Sequence, residues 1–148
     1  MACVTAHDGC LLQVSIRKIS QMSLLFHLYF VVGSGSRYWY DSNAFLFSFV
    51  NKPGWAPVRL PQTGKYSSSR KHSIEDTRSN GPTFGGGHDI KISDFVSSNR
   101  NSFSNLGYTY SLPRGYTYSS TFARTFLAGT YVFTPGEIET FYETTQVK

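Results

Sequence analysis

Cysteine is scarce in this chain. Only Cys3 and Cys10 occur, both near the N-terminus. Two thiols with no spaced histidine pair beside them do not make a zinc site. Their spacing permits a small disulfide loop but nothing demands one, and free thiols in a reducing compartment are the default reading. Long apolar runs are missing too. The longest, residues 22–32, has eleven residues, whereas a bilayer span needs about 20. Charge is sparse at 16 %, against roughly a quarter in ordinary domains. The glycine run Gly85-Gly86-Gly87 lacks a GK[ST] ending and no helical pattern follows it, which removes both the Walker loop and the dinucleotide fingerprint. No cofactor is expected.

Aromatic residues are abundant, with 12 Phe, 10 Tyr and 2 Trp making up 16 % of the chain. Such side chains fit pleated surfaces, so the composition points to β structure. The 148 residues have room for one core. The formal charge of +5 allows an anionic partner, but the charges are scattered. The only tight basic cluster, Arg70-Lys71-His72, lies in a Ser-rich stretch that reads as a solvated loop. A mildly basic soluble domain with no nucleic-acid partner is the expectation.

Taken in order, Val14 and Ile16 alternate with polar residues and predict one strand. Residues 22–32 carry two readings, a buried strand or the apolar core of a signal peptide ending near Gly33-Ser34-Gly35-Ser36. The basic pair Arg17-Lys18 sits well inside the chain, which favours the strand and a cytoplasmic location over secretion. Ala44 to Val50 is apolar on both faces and is placed centrally in a sheet. A turn follows at Asn51 to Gly54. Pro57 removes a ladder donor, so residues 55–60 form at best an edge strand. Residues 61–80 read as a polar loop. His72, Ser73 and Asp76 lie too close in sequence for a triad, whose members converge from separate parts of a fold.

The stretch Gly81 to Asp94 is the centre of the chain. Its three glycines, Gly85, Gly86 and Gly87, mean that side chains must be absent there. Either the backbone turns through positive φ or a neighbouring segment packs close. From His88 to Ile92 the pattern alternates as a strand would, placing Ile90 and Ile92 on one face and Asp89 and Lys91 on the other. Neighbours on a strand cannot share a metal, so His88 and Asp89 make no metal pair. Residues 95–105 read as a loop. Leu106 to Leu112 and Phe126 to Phe133 read as strands, the latter with a bulge at Gly129, while Ser119 to Thr125 is ambiguous. Glu137 to Glu143 reads as a strand after a one-turn entry at Thr134-Pro135-Gly136.

Four stretches together resemble the TLDc domain. They are Ala44-Phe45-Leu46-Phe47, Phe84-Gly85-Gly86-Gly87-His88-Asp89-Ile90, Ser104-Asn105-Leu106-Gly107, and Phe126-Leu127-Ala128-Gly129 followed by Phe133-Thr134-Pro135-Gly136-Glu137-Ile138-Glu139. The resemblance covers residues 41–148 and leaves 1–40 as a poorly matched segment of one or two strands. Family members usually carry a longer N-terminal half, so the resemblance also implies that this half is cut short here. The implied fold is mainly β (α+β), an antiparallel two-sheet β-sandwich with few short flanking helices. The implied role is a non-catalytic interaction domain in oxidative-stress protection, with a subunit of the vacuolar proton pump as a partner. Glu137 and Glu139 match the family's acidic C-terminal motif and are candidates for partner contact, or else plain solvent-facing carboxylates. Two other readings stay open. One is a secreted or surface carbohydrate-binding module, because aromatic rings offer flat apolar faces with polar edges. The other is a thiol antioxidant using Cys3, Cys10 or His88.

Overall fold

The fold is taken from a computed structural model, and its description covers residues 10, 11, 13–18, 22–27, 29, 30, 37–63, 72–77, 80–95, 98–113 and 115–141. Cys3, the Gly33 to Ser36 joint, Arg70, Lys71 and the last two residues of the 137–143 reading lie outside it.

The described residues form antiparallel sheets and one short helix, the mainly β architecture expected from the aromatic content. A five-stranded sheet runs in the order β13 (Glu137–Phe141), β2 (Gln13–Lys18), β3 (Met22–His27), β6 (Phe45–Val50), β7 (Val58–Pro61). A six-stranded sheet runs β12 (Val132–Phe133), β11 (Ser102–Ser104), β10 (Ile90–Lys91), β9 (Thr83–Phe84), β8 (Ile74–Asp76), β5 (Arg37–Trp39). A two-residue pair joins β1 (Cys10–Leu11) to β4 (Tyr29–Phe30). The helix is α1 (Thr121–Thr125).

One core lies between the two larger sheets. Leu46 and Leu60 come from the five-stranded sheet, and Ile74, Phe84, Ile90 and Phe133 from the six-stranded one. Alternation along each strand sets this up, because successive side chains point to opposite faces. In β6, Leu46 and Ser48 are buried while Phe45 and Phe47 are half-buried. That strand is interior to its sheet, paired with β3 and β7. It is not buried on both faces, however, since Phe49 and Val50 are exposed. The strand at 22–27 pairs with β2 and β6. The edge reading of the Pro57 segment holds, with β7 last in its sheet. Beyond it, Thr63 donates to the Thr109 carbonyl and Ser111 to that of Pro61. Among the described residues, no helix is long and apolar enough to cross a membrane.

Several expectations need correction, among them the loop reading of 95–105, which contains the strand β11 (Ser102–Ser104). The polar stretch 61–80 contains a strand, β8, because Ile74 is a core residue facing Phe84 across the ladder. The strand expected over His88 to Ile92 is only Ile90–Lys91. His88 belongs instead to a turn at φ 50°, closed by its N–H donating to the Gly85 carbonyl at 3.0 Å. Leu106 to Leu112 is not a strand, since four of its N–H groups go to a side chain rather than to a ladder. Phe126 to Phe133 is strand only at its end. Its first half continues the turn of α1, with Gly129 at φ 76° donating to the Thr125 carbonyl at 2.9 Å. Gly129 is therefore a helix terminator rather than a bulge. The ambiguous 119–125 segment is the helix, capped by the Ser120 hydroxyl, which accepts from the Ala123 N–H at 3.1 Å. No helical turn precedes β13; residues 134–136 are an irregular connection.

Candidate functional site: a glycine turn around a buried carboxylate

The centre of the described fold is Asp89. It is fully buried. Its carboxylate takes five hydrogen bonds from four consecutive backbone N–H groups. Oδ1 accepts from Gly107 at 2.9 Å, Tyr108 at 3.1 Å, Tyr110 at 3.1 Å and Thr109 at 3.3 Å. Oδ2 accepts from Thr109 at 3.0 Å. Successive N–H groups curling around one anion form a nest, a concentration of positive dipole ends. The Asp89 carbonyl also accepts from Asn105 N–H at 2.9 Å. One residue thus ties the glycine turn to the whole 105–110 segment.

Burial pushes the Asp89 pKa up to about 7, and the N–H groups of Thr109, Tyr110, Gly107 and Tyr108 pull against that rise. Desolvation of a carboxylate with no cation beside it among the described residues outweighs the dipoles. Tyr110 stands next to it, fully buried, and its hydroxyl donates to the Ser73 carbonyl at 2.7 Å. Its pKa lies well above the ordinary value, through burial first, then through the charges of Asp89 and Asp41.

The three glycines have separate reasons. Gly85 turns at φ 85°, and a Cβ there would collide with the Asp89 carboxylate. A Cβ on Gly86 would come 2.6 Å from Nδ1 of His72, and one on Gly87 2.5 Å from Cβ and Cγ of Tyr108. Both causes expected of this run operate, positive φ at its first member and close approach at all three. Gly86 N–H also donates to the Thr109 hydroxyl at 2.9 Å.

On the outward side of the turn, titratable groups meet. His88 Nε2 lies 3.0 Å from Glu75 Oε2, with the two side chains 33 % and 18 % exposed. Glu75 Oε2 has no partner that meets hydrogen-bond geometry, so the contact is an electrostatic one at close range rather than an aligned bond. The Tyr38 and His72 rings pack with centroids 4.0 Å apart. The Tyr38 pKa is raised by burial, then by Glu75 and Tyr108. Among the described residues, no group of three or more His, Cys, Asp or Glu side chains could hold a metal ion. Ser73 is committed elsewhere. Its hydroxyl donates to the Asp41 carbonyl and accepts from Asp41 N–H and Gln62.

Of the residues singled out from sequence, Gly85, Gly86 and Gly87 sit together at this site. Glu137 and Glu139 lie on β13, register partners of Arg17 and Ser15 in the other sheet. Cys10 lies in β1. Asp89 was the residue missed. It looked like an outward strand position, and it is instead the anchor. Its one sequence signal is a lone carboxylate beside a glycine run with a cation only two residues away, at Lys91.

A second arrangement is on the surface. Asn51 is buried and pins the following loop from both ends of its amide, donating to the Trp55 carbonyl at 3.2 Å and accepting from Trp55 N–H at 2.9 Å. The Lys52 N–H donates to the Phe126 carbonyl at 2.8 Å. Trp55 is held 43 % exposed, leaning on Phe122 at 5.6 Å and Tyr116 at 6.3 Å between ring centroids. Tyr116, 42 % exposed, stacks on Phe122 at 3.5 Å with 9° between planes.

Comparison with family models, with curated proteins and with solved structures finds no match to this chain.

Proposed function

We propose that the chain is a non-catalytic, protein-binding β-sandwich module of the TLDc kind, acting in oxidative-stress protection through contact with a subunit of the vacuolar proton pump. The observation that carries the reading is the Trp55 platform. A buried asparagine and two backbone ties hold an exposed tryptophan in one place. Rigid, exposed aromatic anchors are the residue type that dominates binding energy at protein interfaces. The Asp89 carboxylate does not compete with this reading, because its acceptor positions are filled from within the chain.

The test is biolayer interferometry of the immobilised chain against the purified peripheral sector of a vacuolar proton pump. Saturable binding is expected, with Trp55→Ala weakening it by about 30-fold or more, the size of an anchor residue's contribution. Melting temperatures recorded in parallel show whether the variant is folded. Absence of binding by the pump sector, or binding unchanged in a folded Trp55→Ala, Tyr116→Ala double variant, would refute the proposal.

A further inference from the structure

The outer face of the six-stranded sheet gathers residues that are far apart in sequence. Cross-strand register sets Tyr38, Glu75, Thr83, Lys91, Phe103 and Val132 side by side on consecutive strands. The alternating positions, including Ile74, Phe84, Ile90 and Phe133, fill the core, so this row lies on the opposite face of the sheet; Thr83, in its middle, is fully buried. Tyr38, Lys91 and Phe103 are half-buried, and Val132 is 47 % exposed. Ring contacts extend the row into a strip. Tyr131, 41 % exposed, lies 5.4 Å from Phe103 between centroids, and His88 lies 6.3 Å from it on the other side. The Arg124 guanidinium stands 5.0 Å above the Tyr131 ring.

The chemistry of the strip is specific. Aromatic faces lie within reach of two cations, Lys91 at the centre and Arg124 at one end. The carboxylate of the row, Glu75, is already engaged by His88 at 3.0 Å. A face made for apolar protein docking would have little use for a lysine at its centre. A purely electrostatic face would not space rings along the row. Rings that stack and cations that attract phosphates are together what an unpaired nucleic-acid strand needs. The net charge of +5 adds long-range attraction of the same sign.

We propose that this face binds single-stranded nucleic acid at its Phe103 end, with bases stacking on Phe103 and Tyr131 and the phosphate backbone drawn to Lys91 and Arg124. Lys91 and Arg124, far apart along the chain, are brought by the fold to the same aromatic strip. The site is separate from the Trp55 platform and does not depend on the proton-pump reading.

Fluorescence anisotropy with a labelled uridine oligomer of about 12 nucleotides tests it. Titrations run at about 50 mM and about 200 mM salt. Saturable binding is expected, weakening with salt. Phe103→Leu keeps the apolar bulk but removes the ring, and Tyr131→Ala removes an exposed ring. Each should weaken binding about tenfold. Lys91→Gln should lower the salt slope by about 0.7. Melting temperatures confirm that the variants are folded. The proposal is overturned by any one of four results. These are no saturable change with the oligomer, equal affinity for duplex DNA, wild-type affinity in both ring variants, and displacement by polyglutamate as effective as by unlabelled oligomer.

Discussion

Replacing Asp89 with asparagine separates the charge of the central anchor from its shape. The carboxyl is fully buried, and burial pushes its pKa up to about 7 from 3.8 in spite of its backbone donors. Between those values the folded chain holds a proton that the unfolded chain has released. Folding takes up that proton, so this group's contribution to stability is fully present below about pH 4 and is lost as pH rises through about 7. At about 1.4 kcal/mol per unit, the window spans about 4 kcal/mol. That is a large share of the ~5–15 kcal/mol that holds a domain folded. In Asp89→Asn, the amide oxygen can take the place of Oδ1, which accepts from Gly107, Tyr108, Thr109 and Tyr110. The amide nitrogen then replaces Oδ2 and faces the Thr109 N–H, losing the 3.0 Å bond. That mismatch costs about 1–3 kcal/mol, but the amide does not titrate. Urea unfolding followed by tryptophan emission at about pH 5, 6, 7 and 8 measures both effects. The wild-type midpoint should fall across this range relative to the variant's. All other groups are common to both proteins and cancel in the difference. If the two curves run parallel, or if the wild type gains on the variant as pH rises, the argument for a desolvated, proton-holding carboxyl is wrong.

Four further substitutions test the packing. Gly87→Ala brings a methyl 2.5 Å from Cβ and Cγ of Tyr108, atoms anchored close to the backbone, whereas Gly54→Ala at φ 73° meets nothing within 4 Å. The first should cost more than about 2 kcal/mol and the second about 1 kcal/mol of left-handed strain. Equal shifts in urea midpoint would contradict this. Tyr110→Phe removes the 2.7 Å donor to the Ser73 carbonyl, which keeps the Gly85 N–H at 3.1 Å, and should cost about 0.5–1.5 kcal/mol, read from the same unfolding curves. Ser120→Ala removes the acceptor for Ala123 N–H and should cost about 1 kcal/mol. A neutral result there would mean that the tie of Leu106 N–H to the Ala123 carbonyl holds the helix without its cap.

Elements whose side chains report their surroundings locally were legible in the sequence. Gln13–Lys18 and Glu137–Phe141 are strands whose alternation demands a sheet face, and Phe45–Val50 is one whose aromatic run of strand length fits an interior strand. Pro57 announced an edge by removing a donor. The triple glycine announced a tight place, and both physical causes of such tightness are found there. The segment 106–112 was misleading for a non-local reason. Its Tyr-Thr-Tyr alternation fits a strand, but its N–H groups are claimed by a carboxylate 18 to 21 residues earlier. No window along the chain contains that information. The helix was hidden by its serine-rich lead, which reads as loop polarity until Ser120 is seen to cap. Gly129 reads as a bulge from sequence because a bulge, like the helix terminator it is, asks for positive φ. Asp89 was missed because a carboxylate beside a glycine run is by default a surface residue. Its burial follows from the nest, which forms only in three dimensions.

The stretches that resemble the TLDc domain are also the ones that build the interior. Phe84, Ile90, Leu106, Phe126 and Leu127 are all buried to within 1 %. What marks the fold in the sequence therefore says little about what the surface touches, and binding must be sought on residues outside those stretches. Two such surfaces flank α1. Phe122 supports the Trp55 platform, while Arg124, two residues on, stands over Tyr131 of the sheet face. Positions two apart on a helix are about 200° apart around its axis, so they address opposite sides. The surfaces share that helix as a wall but no ring. Substitutions on them should therefore behave independently, as sites without common partners do. Trp55→Ala should weaken the protein contact about 30-fold and leave oligonucleotide affinity within about twofold, whereas Phe103→Leu should weaken oligonucleotide binding about tenfold and leave the protein contact within about twofold. Should both variants weaken both ligands equally while melting like the wild type, the two faces would be one binding surface, and the division drawn at α1 would have to be abandoned.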